Sequence, residues 1–167
     1  NNTVEQMTAE QAPQDVELIF YPEQEGEVDL PALLAEGGFD PEAECAFSLA
    51  VPVYRTGEER AITQSMHDAI AGRWGQDAAY AFRAHHGLDV QPDDAAQGAH
   101  IDGWYFLADY AGDKYAAEAR FQEALSTLDT LGVYGCTTRI GTWMEVMGTK
   151  VLVLFIGLYL GVVFLLA

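Results

Sequence analysis

The sequence has little positive charge. Its 167 residues include 8 Lys and Arg against 26 Asp and Glu, which gives a formal net charge of −18. A surface this negative repels phosphate groups, so we exclude nucleic acid as a partner. A polybasic attraction to anionic lipids is excluded for the same reason.

Motifs for catalysis are also missing. The sequence contains no G-x-S-x-G, no H-E-x-x-H and no phosphate-binding glycine loop. Among 26 acidic residues some carboxylate pairs must arise by chance, so such pairs alone do not indicate an active site. We therefore predict that the chain is not an enzyme and has no cofactor.

Apolar residues are plentiful. Half of the residues are hydrophobic and 11% are aromatic, which disfavours intrinsic disorder. All the charge lies in residues 1–150, and a segment of that length is enough for one domain with a real core but too short for two ordinary domains.

The uncharged run 151–167 predicts a membrane helix. About 20 apolar residues cross a bilayer, and this run reaches the last residue of the sequence, so we expect a truncated transmembrane helix. The alternative is a buried core helix, but a helix apolar on every side must be covered on every side. Gly157 and Gly161 form a G-x-x-x-G step, which predicts a helix-packing face.

Patterning in the charged part predicts alternating strands and helices. The predicted strands are residues 15–21, 45–54, about 100–110 and 133–140, and the predicted helices are a short one capped by Asp29, then 61–71, 76–85 and 113–131. Residues 88–98 read as an exposed acidic loop. This order predicts an α+β fold, a ferredoxin-like β-α-β / β-α-β sandwich with its helices on one face and a helical insert at 58–98.

The predicted organisation has three parts. Residues 1–12 form a membrane-proximal lead-in, residues 13–141 form the α/β domain, and residues 142–167 enter the membrane and begin to cross it. The lead-in is compatible with a helix, and it would continue a preceding membrane span if the chain is part of a larger membrane protein.

The two cysteines, Cys45 and Cys136, fall on the predicted second and fourth strands. A disulfide is permitted outside the cell and would close a loop of about 90 residues. The alternative is two buried free thiols that act as small apolar residues. The sheet order 4-1-3-2 expected for a ferredoxin-like fold puts these strands at opposite edges, which argues against the bond.

Two further groups of polar residues are candidate binding sites. Glu23, Glu25, Glu27 and Asp29, with Asp93 and Asp94, are candidates for a surface that attracts cationic ligands, although a solvated acidic loop is the favoured explanation for the first four. His85 and His86, near Asp89, raise the question of a metal site. Adjacent residues on a helix point about 100° apart, so a helix cap is the better explanation and we predict no metal.

The apolar tail resembles a span of the FtsX-like ABC transporter permeases. In the branch of that family linked to export of peptide antibiotics and resistance to them, this span has the character F-[IL]-G-x-[FY]-L-G-x-x-F-L-x-A. The matching positions here are Phe155, Ile156, Gly157, Tyr159, Leu160, Gly161, Phe164, Leu165 and Ala167.

The resemblance implies a definite role. The domain would be the extracellular part of a cell-membrane permease that works with a separate cytoplasmic ATPase subunit and, in some relatives, with a sensor histidine kinase. Its ligand would be an antimicrobial peptide or that peptide with its lipid-linked target. Ligand binding would move the membrane helix through residues 141–150, so Gly141→Pro or a Gly-Ser insertion after Gly148 is expected to abolish transport.

Two alternatives remain open on the sequence. The chain would fit a single-span, membrane-anchored extracellular binding domain. It would also fit a permease of the same superfamily that serves lipoprotein transport or regulates a cell-wall hydrolase.

Overall fold

A computed structural model describes residues 14–23 and 28–166 of the chain. The predicted lead-in at 1–12 lies outside the described residues. The strands are β1 (Val16–Pro22), β2 (Cys45–Thr56), β3 (Glu59–Thr63), β4 (Leu88–Gln91), β5 (Ile101–Tyr110) and β6 (Gly132–Thr138). The α-helices are α1 (Leu30–Glu36), α2 (Pro41–Glu44), α3 (Gln64–Trp74), α4 (Gln76–His86), α5 (Lys114–Leu125) and α6 (Arg139–Leu166).

The strands form one mixed sheet in the order β4-β3-β2-β5-β1-β6. The four strands predicted from the sequence adjoin one another as β2-β5-β1-β6, and every neighbouring pair among them is antiparallel. The insert extends this sheet, because β3 pairs with β2 and β4 pairs parallel to β3. The α+β class is therefore confirmed.

The insert contains the two predicted helices, as α3 and α4, and in addition two strands that the sequence did not predict. β2 continues to Thr56 and turns back into β3 through Gly57, whose φ of 65° suits glycine. The expected acidic loop at 88–98 contains β4 and the short 3₁₀ turn Asp93–Ala96. Polar side chains hid this strand, since Asp89 and Gln91 break its apolar run.

Helices cover both faces of the sheet, whereas the sequence predicted helices on one face. Along β1, Val16, Leu18 and Phe20 point to the core shared with α1 and α5. Ile19 points to the opposite face, where it packs on the core that α3 and α4 share with β2 and β5. Alternation of side chains along the central strands therefore feeds two cores.

The start of α1 is as the sequence predicts. The Asp29 carboxylate accepts a hydrogen bond from the Ala32 N–H at 3.2 Å, Pro31 lies in the first turn, and Gly37 ends the helix. The last predicted helix is shorter than expected. α5 ends at Leu125, and residues Leu128–Thr130 form a 3₁₀ turn that brings the buried Leu128 back to the core.

The C-terminal helix α6 begins directly after β6. The sequence predicted a strand to residue 140 and a separate membrane-entering segment from 142, but Arg139 is already helical and the helix continues for 28 residues. That corresponds to about 42 Å. No part of its most apolar window is buried, and it is long and apolar enough to cross a membrane.

Candidate functional site

The structure does not bring the six predicted acidic residues together. Glu23 follows β1, and its N–H donates to the Leu131 carbonyl next to β6. Asp93 and Asp94 follow β4, which runs opposite to β1 and is separated from it by three strands. The two groups therefore lie at opposite ends of the sheet. Glu25 and Glu27 lie outside the described residues.

Two of these acids have local structural roles. Asp29 caps α1, as described above, and Asp93 accepts hydrogen bonds from the Ser65 backbone N–H and hydroxyl at the start of α3. These bonds from Ser65 lower the pKa of Asp93 below its ordinary value. A joint cationic-ligand surface built from all six acids is thus not what the described residues form.

The cysteines are free, so the proposed disulfide is absent. Cys45 on β2 and Cys136 on β6 are separated by β5 and β1. Three strand intervals alone separate them by about 14 Å across the sheet, twice the Cα separation of about 7 Å that a disulfide can bridge. They are also offset along the strands, because Cys45 lies in register with Tyr110 and Cys136 with Phe106. Burial raises the pKa of each thiol from 9.0 to about 12. Both side chains pack on the core as apolar groups.

Both histidines lie at the end of α4, and His86 anchors the helix to the sheet. Both lie in its last turn before Gly87, whose left-handed conformation ends the helix. The His86 imidazole contacts the Glu17 carboxylate of β1, and its ring lies 4.6 Å from that of Tyr105. Among the described residues no group of three His, Cys, Asp or Glu side chains is placed to hold a metal ion.

A polar cluster forms where the domain meets α6, and sequence reasoning missed it. Asp15, 3% exposed, accepts the Tyr110 N–H at 3.0 Å and the Lys114 ammonium at 2.8 Å. Its other carboxylate oxygen lies 3.4 Å from the Arg139 guanidinium. The Asp15 carbonyl also accepts the Arg139 N–H at 2.9 Å. One aspartate thus ties the first strand, α5 and the first residue of α6 together.

A second buried acid completes this junction from α5. The Glu118 carboxylate accepts hydrogen bonds from the Tyr110 hydroxyl at 2.7 Å and from the Thr138 hydroxyl at 2.6 Å. The Thr138 hydroxyl in turn accepts the Gly141 N–H at 3.0 Å, which satisfies a free amide in the first turn of α6. We call these residues, with Asp15, Lys114 and Arg139, the junction cluster.

The junction cluster is suited to holding a helix rather than to catalysis. Desolvation, with the hydrogen bond to Glu118, raises the pKa of Tyr110, so its hydroxyl stays protonated and donating. A Cβ at Gly141 would lie 2.7 Å from the Thr138 hydroxyl oxygen, so glycine lets the helix start this close. The only sequence signals were an acid at the end of a strand and a glutamate on the buried face of α5.

An open cleft of about 970 Å³ lies at the opposite end of the sheet. One wall is the turn between β2 and β3, with Arg55, Glu58, Glu59 and Arg60, and the other is the end of α4, with Tyr80 and Arg83. Asp102 beside this end accepts Arg60 Nε at 2.7 Å and an Arg55 nitrogen at 3.2 Å. Desolvation of Asp102 is outweighed by these hydrogen bonds, and its pKa is lowered.

The glycines of the predicted packing face lie in open space. A Cβ added at Gly157 or Gly161 would meet nothing within 4 Å in the described residues. They lie one turn apart on α6, so they share one face of the helix. Their role in helix packing stays a prediction.

Comparisons of the chain with protein-family models, with curated proteins and with solved structures each find no match.

Proposed function

We propose that the chain is the extracellular ligand-sensing and coupling domain of an FtsX-like ABC transporter permease, with the start of the span that follows it. The observation that carries the proposal is the junction cluster. β6 passes into the apolar helix α6 without a loop, and two buried carboxylates hold the first turn of that helix. Because the domain holds the first turn of α6 in this way, a movement of the domain also moves the helix.

The fold supports this proposal in one further respect. We propose that β1, α1, β2 and then β5, α5, β6 form a ferredoxin-like unit with α1 and α5 on one face. The antiparallel order β2-β5-β1-β6 supports this assignment. The segment from β3 to β4 then adds two strands and two helices on the other face.

In this proposal the domain lies outside the cell and binds an antimicrobial peptide, alone or with its lipid-linked target. A cytoplasmic ATPase subunit hydrolyses ATP, and a sensor histidine kinase is a further partner. The net charge of −18 supports a cationic ligand, because it accelerates encounter with a cation. The apolar, uncovered α6 supports membrane attachment.

Location is tested by labelling in intact cells. A Glu58→Cys variant carries an exposed thiol, while the native Cys45 and Cys136 are partly buried with raised pKa values. We expect a membrane-impermeant maleimide to label the variant, but not the native chain, before lysis. Labelling that requires lysis would place the domain on the other side of the membrane.

Coupling is tested in cells that carry the complete transporter. We expect a Gly-Ser insertion after Gly148 to abolish resistance to a peptide antibiotic, because it interrupts α6 between the domain and the membrane. Gly148→Ala is the matched control, since a Cβ there meets nothing within 4 Å. Gly141→Pro is a less specific test than the insertion, because it removes the N–H that donates to the Thr138 hydroxyl and brings a Cβ against that oxygen, so it disturbs the junction cluster itself. Resistance in the insertion variant would contradict rigid coupling.

The second candidate is a single-span, membrane-anchored binding domain. It is favoured by the finding of one candidate membrane helix among the described residues. The two proposals differ in the rest of the gene, since a permease encodes several further apolar spans. A permease that serves lipoproteins or a cell-wall hydrolase would also encode further spans. Calorimetry with a cationic peptide at physiological salt distinguishes it from the first proposal, because only the first proposal expects binding.

A further inference from the structure

Arg83 differs from the other Lys and Arg residues of the described domain in its ion pairing. Every other Lys and Arg between residues 28 and 149 forms an ion pair with an Asp or Glu side chain. Within the described part of the chain Arg83 forms none, although acidic residues outnumber basic ones by more than three to one. Its Nε is buried without a hydrogen-bond partner there. A partially desolvated guanidinium with no carboxylate is costly in a protein so rich in carboxylates.

The Arg83 guanidinium lies at the open cleft and is held by an aromatic ring. Its central carbon is 5.2 Å from the centre of the Tyr80 ring, and both residues line the cleft. Tyr80 is 55% exposed, so the guanidinium lies beside an exposed aromatic ring. The planar fork of N–H donors in a guanidinium matches a carboxylate, which accepts two parallel hydrogen bonds from it.

The facing wall of the cleft carries two carboxylates without ion pairs in the described part of the chain, beside Arg55 and Arg60, which pair with Asp102. Glu58 of the turn and Glu59 at the start of β3 line it, and neither side chain forms an ion pair or hydrogen bond within residues 14–23 and 28–166. The cleft of about 970 Å³ is thus lined by one cation and two carboxylates without ion pairs among those residues, and by Asp89, which accepts a hydrogen bond from the Gln91 amide at 2.8 Å. Its size lies at the upper end of the usual range for small-ligand sites, about 300–1,000 Å³.

We propose that this cleft binds the free C-terminal end of a cationic peptide. The terminal carboxylate pairs with Arg83, and basic groups of the same peptide face Glu58 and Glu59. The inference rests on the proposed function, because it names the site and the recognised feature of the peptide ligand. The cleft lies at the end of the sheet where β1 ends, and α6 starts at the other end, next to the beginning of β1. The cleft is therefore open to a ligand arriving from the side away from the membrane.

The test compares two forms of one probe. A short peptide of alternating lysine and alanine is made with a free C-terminal acid and with a C-terminal amide. Binding of each form to the full chain in lipid nanodiscs is measured by calorimetry at physiological salt. We expect the acid to bind about tenfold more tightly than the amide, as loss of a charged hydrogen-bonded pair implies.

Substitutions of Arg83 test whether the cleft causes the tighter binding of the acid form. Arg83→Gln is expected to reduce the acid-to-amide ratio to about one, and Arg83→Lys to leave an intermediate ratio, because lysine keeps the charge but not the fork. Arg120→Gln is the matched control, since Arg120 lies on α5, away from the cleft, and pairs with Glu44 of α2. This variant should keep the full ratio. Thermal unfolding confirms that each variant is folded.

The outcomes separate the two proposals. Binding of both forms with equal affinity, in the native chain and in Arg83→Gln, would overturn the inference and leave peptide recognition standing. No binding of either form would count against the proposed peptide ligand and, with it, against this use of the cleft. A preference for the acid that survives Arg83→Gln would place the carboxylate elsewhere and overturn the assignment to Arg83.

Discussion

Each end of the sheet holds one aspartate between two cations, and the two arrangements differ in their surroundings. Asp15 lies between Lys114 and Arg139 with its side chain 4% exposed. Asp102 lies between Arg55 and Arg60 with its side chain 17% exposed, beside an open cleft. The same combination of one anion and two cations thus holds α6 through a buried carboxylate at one end and forms a partly solvated ion-pair group at the other. Burial, rather than the number of ion pairs, distinguishes a structural joint from a surface available to ligands.

The largest effect is expected at the buried aspartate. Asp15→Ala removes the acceptor for the Tyr110 N–H and the carboxylate that pairs with the Lys114 ammonium and the Arg139 guanidinium. We expect the free energy of unfolding to fall by about 3 kcal/mol, at the low end for breaking a buried pair because both cations are half exposed. Denaturant unfolding of the full chain in detergent measures it. Asp94→Ala, at an exposed position, is the control and should change it by less than about 0.5 kcal/mol.

A steric change at the same joint is expected to have the next largest effect. Gly141→Ala brings a Cβ to 2.7 Å from the Thr138 hydroxyl oxygen, which Glu118 also holds. We expect a loss of about 1–2 kcal/mol and faster amide exchange at the start of α6. Gly148→Ala meets no neighbour and should instead stabilise the helix by about 0.5–1 kcal/mol. Equal behaviour of the two variants would mean that the junction does not restrain the helix.

Asp102 should contribute less than Asp15 to the free energy of unfolding, and its contribution should depend on pH. Exposed pairs contribute about 1 kcal/mol or less, so Asp102→Asn is expected to cost no more than that at neutral pH. Because the pKa of Asp102 is lowered in the folded chain, its contribution is complete above the unfolded value and is lost as pH falls through the folded value. The difference in melting temperature between native and variant should therefore be constant near pH 6 and shrink below about pH 4. A difference that grows on acidification would contradict the pairing.

The smallest expected effect is that of a reducing agent. Cys45 and Cys136 are free, so a reductant should leave the melting temperature at pH 7 unchanged, and a thiol assay in denaturant should count two free thiols. Their raised pKa of about 12 means that the unfolded chain loses these protons first, so stability should fall as pH rises above about 9. A melting temperature that drops with reductant would indicate a bond between them.

The sequence predicted the parts of this fold whose signals are local. Asp29, Pro31 and Gly37 mark the bounds of α1 by capping and backbone conformation, which act within one turn. The central strands β1, β2 and β5 have enough consecutive apolar residues to be recognised alone. β4 does not, because Asp89 and Gln91 are polar and its pairing with β3 depends on a distant segment. The second helical layer was missed for a similar reason, since side-chain alternation along β1 tells which residues share a face but not what covers it.

The sequence by itself determined the charge, the apolar tail, the absence of catalytic motifs and the order of the main elements, because each of these follows from residue type and short-range spacing. Only the tertiary structure decided which acids act together. Asp15 and Glu118 are 103 positions apart and resemble many other carboxylates until folding buries both at Tyr110. Arg83 likewise becomes distinct only when folding gives every other cation of the described domain a partner. Burial and pairing are properties of long-range packing, which no local pattern in the chain encodes.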